Sequence, residues 1–180
     1  MSTHIRSPSN TPIAYRYVNS PVGALLVAAS DDGLHGIEFP ENRHPVKRTP
    51  AWSEGDHRTI DLAQRQLDEY FAGERQVFDL PLAPAGTAFQ LLVWKTLAAI
   101  PFGSTWSYGQ LAHRVGKPSA SRAVGAANGR NPLPIVLPCH RVIGSAGALT
   151  GFGGGLPTKE FLLRLEGALT GNRPHRTLFG

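Results

Sequence analysis

Hydrophobic residues over 14–39 occur in three short stretches, AYRYV, ALLVAA and LHGIEF, in which alternating and β-branched positions predominate. Turn-forming residues separate the stretches, a Ser-Pro pair at 20–21 and Asp-Asp-Gly at 31–33. This spacing predicts a meander of about three strands. Residues 40–58 are rich in Pro, Arg, His and Glu, and that composition predicts a mobile surface connection.

A helical repeat of apolar residues follows the connection. Thr59 is the expected cap, the helix runs through Tyr70 and Phe71, and Gly73 lies just past its end. We expect this helix to cover the small sheet. The first ten or so residues of the chain, polar with Ser and Pro, are expected to be frayed.

The second half of the chain predicts several short helices. The segment PLAPAG at 81–86 is the best linker, so an N-terminal domain over 1–80 and a C-terminal domain over 87–180 are expected. The expected helices run from Thr87 through Ile100, from Ser107 to Gly116, from Ser119 to about Asn128, and from Pro157 to near Gly167. The second and third, joined by Gly-Lys-Pro, resemble a helix-turn-helix. We therefore predict a two-part α/β protein.

Composition narrows the class of protein. With 180 residues, 41% of them hydrophobic and 17% charged, the chain is expected to be globular rather than disordered. It has no apolar run of the roughly 18 to 20 residues that span a bilayer and no signal-peptide core at its start, so a cytoplasmic location is expected. The net charge of +5 and the sequence pI near 9.8 favour a polyanionic partner. A basic surface kept only for solubility is the alternative.

The one cysteine, Cys139, excludes an intramolecular disulfide and a cysteine-rich zinc site. It follows the apolar run at 133–137 and precedes His140 and Arg141. Such neighbours lower the pKa of a thiol and favour the nucleophilic thiolate. An inert core cysteine is the alternative, because adjacent side chains in an extended strand point to opposite faces.

Three further features lie around the cysteine. The third predicted helix, ASRAVGAAN at 120–128, is made of small residues with one long cation, Arg122. This surface fits the minor groove better than the major groove, and helix-on-helix packing is the alternative. The Gly-rich stretch at 151–155 meets neither the Walker nor the dinucleotide fingerprint. Glu166 is an isolated acid late in the last helix, for which a solvated helix end is the alternative.

Together these features resemble one family, the O6-alkylguanine-DNA alkyltransferases, also called methylated-DNA–protein-cysteine methyltransferases. The resemblance spans residues 87–167. Its core is PCHRVIG at 138–144, preceded by RAVG at 122–125 and Asn-Pro at 131–132, and followed by GGL at 154–156 and LEG at 165–167. The N-terminal half matches only in outline, including YFAG at 70–73.

The resemblance implies a ribonuclease H-like N-terminal sheet with a covering helix, and a C-terminal helical domain with a winged-type helix-turn-helix. It also implies direct repair of double-stranded DNA that contains O6-alkylguanine, and of O4-alkylthymine. The alkyl group passes irreversibly and stoichiometrically to Cys139, after minor-groove binding and nucleotide flipping. Such a protein is a single-turnover methylated-DNA–protein-cysteine S-methyltransferase. No cofactor, metal or membrane contact is expected.

The resemblance also assigns roles residue by residue. Cys139 resembles the alkyl acceptor, His140 the base that takes its proton through a water, and Glu166 the acid that orients the imidazole. Asn131 resembles the bridge between the helix-turn-helix and the active-site loop, and Arg122 the finger that fills the vacated stack. The other implied DNA-binding positions are Tyr108, Ser121, Ala123, Gly125 and Ser145, and the implied substrate pocket is Tyr108, Pro134, Val142, Phe152, Gly153 and Gly154.

Some departures from the family pattern leave the range of adduct sizes open. Gly153 stands where some relatives have Ser, and Phe152 replaces a Tyr, so base contacts there are expected from backbone and ring packing. Some relatives bind zinc through N-terminal cysteines, which this sequence lacks. A lesion-binding subfamily replaces the acceptor with Trp, whereas Cys139 is present here.

Two other functions stay open beside repair. A thiol hydrolase using Cys139, His140 and Glu166 would turn over and ignore DNA, whereas a DNA-binding regulator would need only the helix-turn-helix. The repair protein is expected to be a monomer, associated with the nucleoid in a bacterium. Its cooperativity on DNA, its regulation, the role of its N-terminal domain and the effect of alkylation on stability stay open.

Overall fold

Four strands form the N-terminal sheet. The structure, a computed structural model, describes residues 11–169. The strands are β1 (Ile13–Val18), β2 (Leu25–Ser30), β3 (Gly33–Glu38) and β4 (Trp52–Glu54), in the order β3-β2-β1-β4. The first three pair antiparallel, so the predicted meander is confirmed. The frayed start expected for the first ten residues lies outside the described residues.

Strand β4 corrects the prediction of a surface connection over residues 40–58. It pairs in parallel with β1 at the edge of the sheet, where Ile13 lies opposite Trp52. A strand of three residues is too short for a hydrophobic pattern to mark it. This strand forms because the edge of β1 presents unpaired N–H and C=O groups to which it can hydrogen-bond.

One helix, α1 (Arg58–Phe71), covers the sheet as predicted. It packs against β2, whose six residues are all buried. The cap is His57 and not Thr59, because the Thr59 N–H donates to His57 Nδ1 over 3.0 Å. The apolar residues of its buried face are Ile60, Ala63, Leu67 and Tyr70.

As far as residue 169, the C-terminal half contains four α-helices and two short strands that pair in parallel. They are α2 (Ala88–Leu97), β5 (Trp106–Ser107), α3 (Tyr108–Arg114), α4 (Ser121–Gly129), β6 (Val142–Ile143) and α5 (Leu156–Leu165). Capping boxes begin α2 and α3 at the predicted Thr87 and Ser107. Helix α2 ends at Leu97 and not Ile100, because the chain tightens into i→i+3 hydrogen bonds before Pro101.

Helices α3 and α4 form the predicted helix-turn-helix. Helix α4 begins at Ser121 after a cap, Ala120, that makes no side-chain hydrogen bond. This corrects the predicted start at Ser119. Ser119 lies within the preceding turn, which the Ala120 N–H closes on Lys117 O over 2.9 Å.

Backbone hydrogen bonds join the two halves of the molecule. The Ile37 N–H donates to Pro132 O over 2.9 Å, and the Arg43 N–H donates to Gly153 O over 3.1 Å. One continuous apolar core includes residues of both halves. The predicted class, an α+β protein with an N-terminal sheet and a C-terminal helical domain, is confirmed, while the domain boundary at 81–86 stays a prediction. No helix of the described chain could span a bilayer.

Candidate active site

The lone cysteine lies in a single 3-10 turn, Cys139–Arg141. The chain enters this turn through a tight loop in which the Leu137 N–H donates to Leu133 O over 2.9 Å and Ile135 takes a φ of +72°. A left-handed conformation is unfavourable for a β-branched residue, so packing of the buried Ile135 must hold it. The cysteine itself is 4% exposed.

His140 forms a buried pair with Glu166. Its Nε2 lies 2.7 Å from Glu166 Oε1, and both side chains are fully buried. The alternative of a solvated helix end for Glu166 is therefore wrong. Cys139 and His140 lie in a 3-10 turn, which rotates successive side chains by about 120°, so they do not point to opposite faces as they would in an extended strand.

The pairing determines which nitrogen of His140 carries the hydrogen. An ionised carboxylate only accepts hydrogen bonds, so Nε2–H donates to Glu166 and the lone pair lies on Nδ1. Burial lowers the pKa of His140, against the opposing effect of Glu166, so the ring is neutral at neutral pH. Nδ1 is buried and has no hydrogen-bond partner among the described residues. This ring nitrogen can accept a proton.

Arg141 fixes the carboxylate of Glu166. Its Nε donates to Oε2 over 2.8 Å, its Nη2 to Oε1 over 2.9 Å, and its Nη1 to Ile100 O over 2.7 Å. Burial acts to raise the pKa of Glu166, but hydrogen bonds from His140 and Arg141 outweigh it and lower that pKa to about 2. The sequence places Arg141 near the thiol, and the structure turns its guanidinium toward Glu166.

The thiol of Cys139 keeps its proton in this structure. Burial raises its pKa to about 11, against hydrogen bonding from Asn131 and the charge of Lys159. The predicted lowering of the pKa by the neighbours of Cys139 is therefore wrong for the structure described. Desolvation dominates because the charge of Arg141 is paired with Glu166. A reaction at Sγ requires a group that removes the proton.

Two asparagines hold the cysteine's turn. Asn131 Nδ2 donates to Leu137 O over 2.7 Å, and the Leu133 N–H donates to Asn131 Oδ1 over 3.0 Å. Asn131 follows the C-cap of α4, so its side chain joins the helix-turn-helix to the loop before the cysteine. Asn128 of α4, which the sequence analysis did not identify, donates from Nδ2 to Cys139 O over 3.4 Å.

A buried lysine, Lys159, also lies at the site, and the sequence pattern does not single it out. Its Nζ donates to Val142 O over 2.5 Å and to Thr150 O over 2.8 Å. Burial lowers its pKa to about 8, an effect that the neighbouring Cys139 opposes. Its spacing in the sequence could have indicated this position, since Lys159 lies seven residues before Glu166 and is on the same helical face.

Tyr108 lies between α4 and the Gly-rich loop. Its hydroxyl donates to Thr150 O over 3.0 Å. A Cβ at Gly125 would lie 3.5 Å from the Tyr108 ring, an ordinary van der Waals contact, so the ring lies against α4 without requiring glycine at that position. The hydroxyl is therefore hydrogen-bonded to the backbone just before the Gly-rich stretch.

The N-terminal half supports the same loop from the other side. The rings of Phe39 and Phe152 are 5.5 Å apart between centroids, and the Arg43 N–H donates to Gly153 O over 3.1 Å. A Cβ at Gly154 would fall 2.4 Å from Phe39. This close approach requires glycine at position 154.

The remaining predicted positions divide between the surface and the interior. Those on or near the helix-turn-helix are exposed, Arg122, Ala123 and Ser145, or half-buried, Ser121 and Gly125. The predicted pocket positions Pro134 and Val142 are buried. Over residues 11–169, no group of three His, Cys, Asp or Glu side chains is arranged to hold a metal ion.

Two family models match the chain along almost all of its described length. One, described as 6-O-methylguanine DNA methyltransferase, ribonuclease-like domain, matches residues 13–84. The other, the DNA binding domain of the same family, matches residues 88–168. The chain belongs to the 6-O-methylguanine DNA methyltransferase family. The resemblance seen in the sequence is thereby confirmed, and it extends to the N-terminal half.

Individual members of the family are similar over nearly their whole length. A methylated-DNA–protein-cysteine methyltransferase of Methanosarcina acetivorans is 48% identical over 154 residues, 86% of this chain and 98% of that protein. One of Mycolicibacterium paratuberculosis is 49% identical over 86% of this chain and 92% of that protein. The crystal structure of Mycobacterium tuberculosis OGT in complex with DNA superposes with a TM-score of 0.80 at 46% identity, covering 86% of this chain and 93% of that one.

Proposed function

We propose that the protein repairs double-stranded DNA by moving the alkyl group of O6-alkylguanine, and of O4-alkylthymine, onto Cys139. One observation carries the proposal: the single cysteine of a methyltransferase family member adjoins a buried pair, His140 and Glu166. Its relatives are named methylated-DNA–protein-cysteine methyltransferases. The protein acts as a monomer, and the reaction requires no cofactor or metal.

The proton of Cys139 passes to His140. Nδ1 of the neutral ring takes it through a bridging water, and Glu166 stabilises the imidazolium through Nε2. This route is compatible with the raised pKa of the buried thiol, because the thiolate forms only when its proton has moved to the imidazole. Asn131 and Lys159 stabilise the thiolate, since both act to lower the thiol pKa.

The transfer step breaks one bond and makes one. Sγ of Cys139 attacks the alkyl carbon, the S–C bond forms with the thiolate electron pair, and the C–O6 bond breaks with its electrons left on guanine. The departing anion takes a proton or hydrogen bond from Tyr108, once that hydroxyl leaves Thr150 O, or from backbone amides near Cys139 and Gly153. The product is a thioether, which has no carbonyl for water to attack. Each molecule therefore acts once.

The DNA lies against α4. Its side-chain-poor surface suits the minor groove, and the exposed Arg122 fills the stack vacated by the flipped nucleotide. Flipping is required because the alkyl carbon lies inside the duplex, and it costs a few kcal/mol. The basic net charge of +5 supplies contacts to phosphates.

The proposal is tested by intact mass after mixing the protein with a duplex that carries one O6-methylguanine, followed by peptide mapping. We expect a gain of one methyl group per molecule, located on Cys139, with unmodified guanine left in the DNA. Lesion binding without any adduct would contradict transfer and indicate a damage sensor. Repeated turnover without an adduct would indicate a hydrolase.

The Arg122→Ala variant should lose more repair in duplex than transfer from free O6-benzylguanine. The reason is that only the duplex substrate requires the nucleotide to be extruded. We expect about a 10- to 100-fold slower transfer from the duplex and an unchanged rate with the free base. Single-turnover rates with both substrates give the comparison.

Arg130→Ala is the matched control for this prediction. Arg130 is also an exposed arginine of α4, at its C-cap, so its removal takes away the same charge without the proposed finger. Both variants lose one positive charge, so both should bind DNA more weakly at low salt, whereas only Arg122→Ala should slow transfer from the duplex. Equal losses of Arg122→Ala on duplex and free base would count against the finger role.

A further inference from the structure

The N-terminal half contributes one polar group to the buried carboxylate. Tyr70 of α1 is 0% exposed, and its hydroxyl donates to Glu166 Oε1 over 2.7 Å. Burial and the carboxylate of Glu166 raise the pKa of Tyr70, so the phenol keeps its hydrogen and stays a donor. Tyr70 lies 96 residues from Glu166 along the chain, so this contact exists only because α1 packs against the C-terminal half.

Three donors converge on the same oxygen of Glu166. They are the Tyr70 hydroxyl, His140 Nε2 and Arg141 Nη2, at 2.7, 2.7 and 2.9 Å. Donors that share one acceptor oxygen divide its negative charge, so each hydrogen bond makes the other hydrogen bonds to that oxygen weaker. The strength of the bond to His140 thus depends on whether Tyr70 donates.

We propose that Tyr70 is a positioning residue for alkyl transfer, which acts through Glu166 to orient His140 and to set its basicity. This inference rests on the proposed function. It gives the N-terminal domain a chemical role, because that domain delivers the hydroxyl. The aromatic side chain is held for this purpose by Phe71, Phe78 and Phe102, whose ring centroids lie 5.3, 5.5 and 6.3 Å from that of Tyr70.

The direction of the effect on pH dependence follows from the charges around the pair. Among the described residues, the titratable and charged groups that act on His140 or Glu166 are Tyr70, Arg141 and Lys159. Cys139 precedes His140 in the 3-10 turn. Removing the Tyr70 hydroxyl leaves more negative charge on Oε1 for His140 Nε2–H, which favours the imidazolium. His140 would then be protonated, and inactive as a base, at a higher pH than in the parent.

The test is the rate of methyl transfer to Cys139 from a single-stranded oligonucleotide carrying O6-methylguanine, measured by intact mass from about pH 5 to about pH 9. Tyr70→Phe keeps the ring and removes only the hydroxyl. We expect the acid limb of the profile to move to higher pH by about half a unit. The plateau rate should fall about tenfold, because the oxygen that orients the ring of His140 loses one of its three donors and is held less firmly in place.

Gln66→Leu is the matched control. Gln66 lies on the same helix, is 3% exposed, and bonds the backbone of Asp79 through both ends of its amide. This variant should lower thermal stability and leave the pH profile in place. If Tyr70→Phe behaves in the same way, its role is structural and the inference is overturned.

A double-mutant cycle with Glu166→Gln separates a path through Glu166 from a direct effect. Tyr70→Phe should slow the Glu166→Gln protein by less than about twofold, because the shared acceptor charge is already gone. If the rate losses of the two single variants multiply in the double variant, the inference about Tyr70 is contradicted, while the proposed function stands. Absence of any methyl adduct in the parent would overturn the proposed function, and this inference with it.

Discussion

Cys139→Ser should abolish alkyl transfer, with a loss of at least about 1,000-fold, the scale seen when a nucleophile is removed. A serine hydroxyl is a far weaker acid and nucleophile than a thiol, and the site's base is a neutral imidazole of lowered pKa. The side chain is 4% exposed, so a near-isosteric replacement keeps the turn. Intact mass with the O6-methylguanine duplex measures the transfer.

The same variant should bind the lesion duplex as tightly as the parent. Cys139 is buried in the 3-10 turn, whereas Arg122 and the surface of α4 that meet DNA in the proposal are exposed. Cys139→Ala serves as the control, since it removes any nucleophile of either kind. Methylation of the serine variant at a residue other than 139 would show that the acceptor is misassigned. Loss of binding together with transfer would show a damaged fold instead.

The sequence predicts the local features of this protein well. Ser107 and Thr87 begin helices because their hydroxyls and the glutamines three residues on satisfy each other's backbone groups, a pattern confined to four residues. The meander of β1 to β3 is predicted for the same reason, since its turns are local. Strand β4 is missed because its order depends on pairing with β1 about 40 residues away.

The polar contacts within the site could not be predicted from the sequence. Helical spacing places Tyr70 on the buried face of α1, and this is observed. It does not indicate that the hydroxyl meets Glu166, because that contact depends on how two helices from different halves approach each other. The contacts of Arg141 could not be predicted either. Its position close to the cysteine in sequence suggests that its charge lowers the pKa of the thiol, but the guanidinium is bonded to Glu166 instead.

Arg141→Met should destabilise the fold by about 3–5 kcal/mol, the usual cost of removing one partner of a buried ion pair. Methionine keeps most of the apolar part of the side chain, so the decrease in the free energy of unfolding measures the contribution of the guanidinium group. Without it, Glu166 loses two of its four hydrogen bonds, and Ile100 O loses its donor. Urea unfolding at neutral pH, followed by circular dichroism, measures the change in the free energy of unfolding.

Arg65→Met is the matched control, because Arg65 pairs with Glu69 one turn away on α1 and the two side chains are 67% and 31% exposed. Removal of such a partly exposed partner should cost about 1 kcal/mol or less. Equal losses for the two variants would contradict the assigned role of Arg141.

The dependence of the Arg141→Met effect on pH distinguishes the ion pair from simple packing. The folded-state pKa of Glu166, about 2, lies below its ordinary value of 4.5. This carboxylate therefore contributes stability above about pH 4.5 that is lost as the pH falls toward about 2, with about 1.36 kcal/mol for each unit of pKa difference. In Arg141→Met the pKa of Glu166 moves back toward the ordinary value, so the difference in stability between parent and variant should narrow over that interval. A difference that stays constant down to the acid limit would assign the loss to packing against Phe102, over which the guanidinium lies at 5.7 Å.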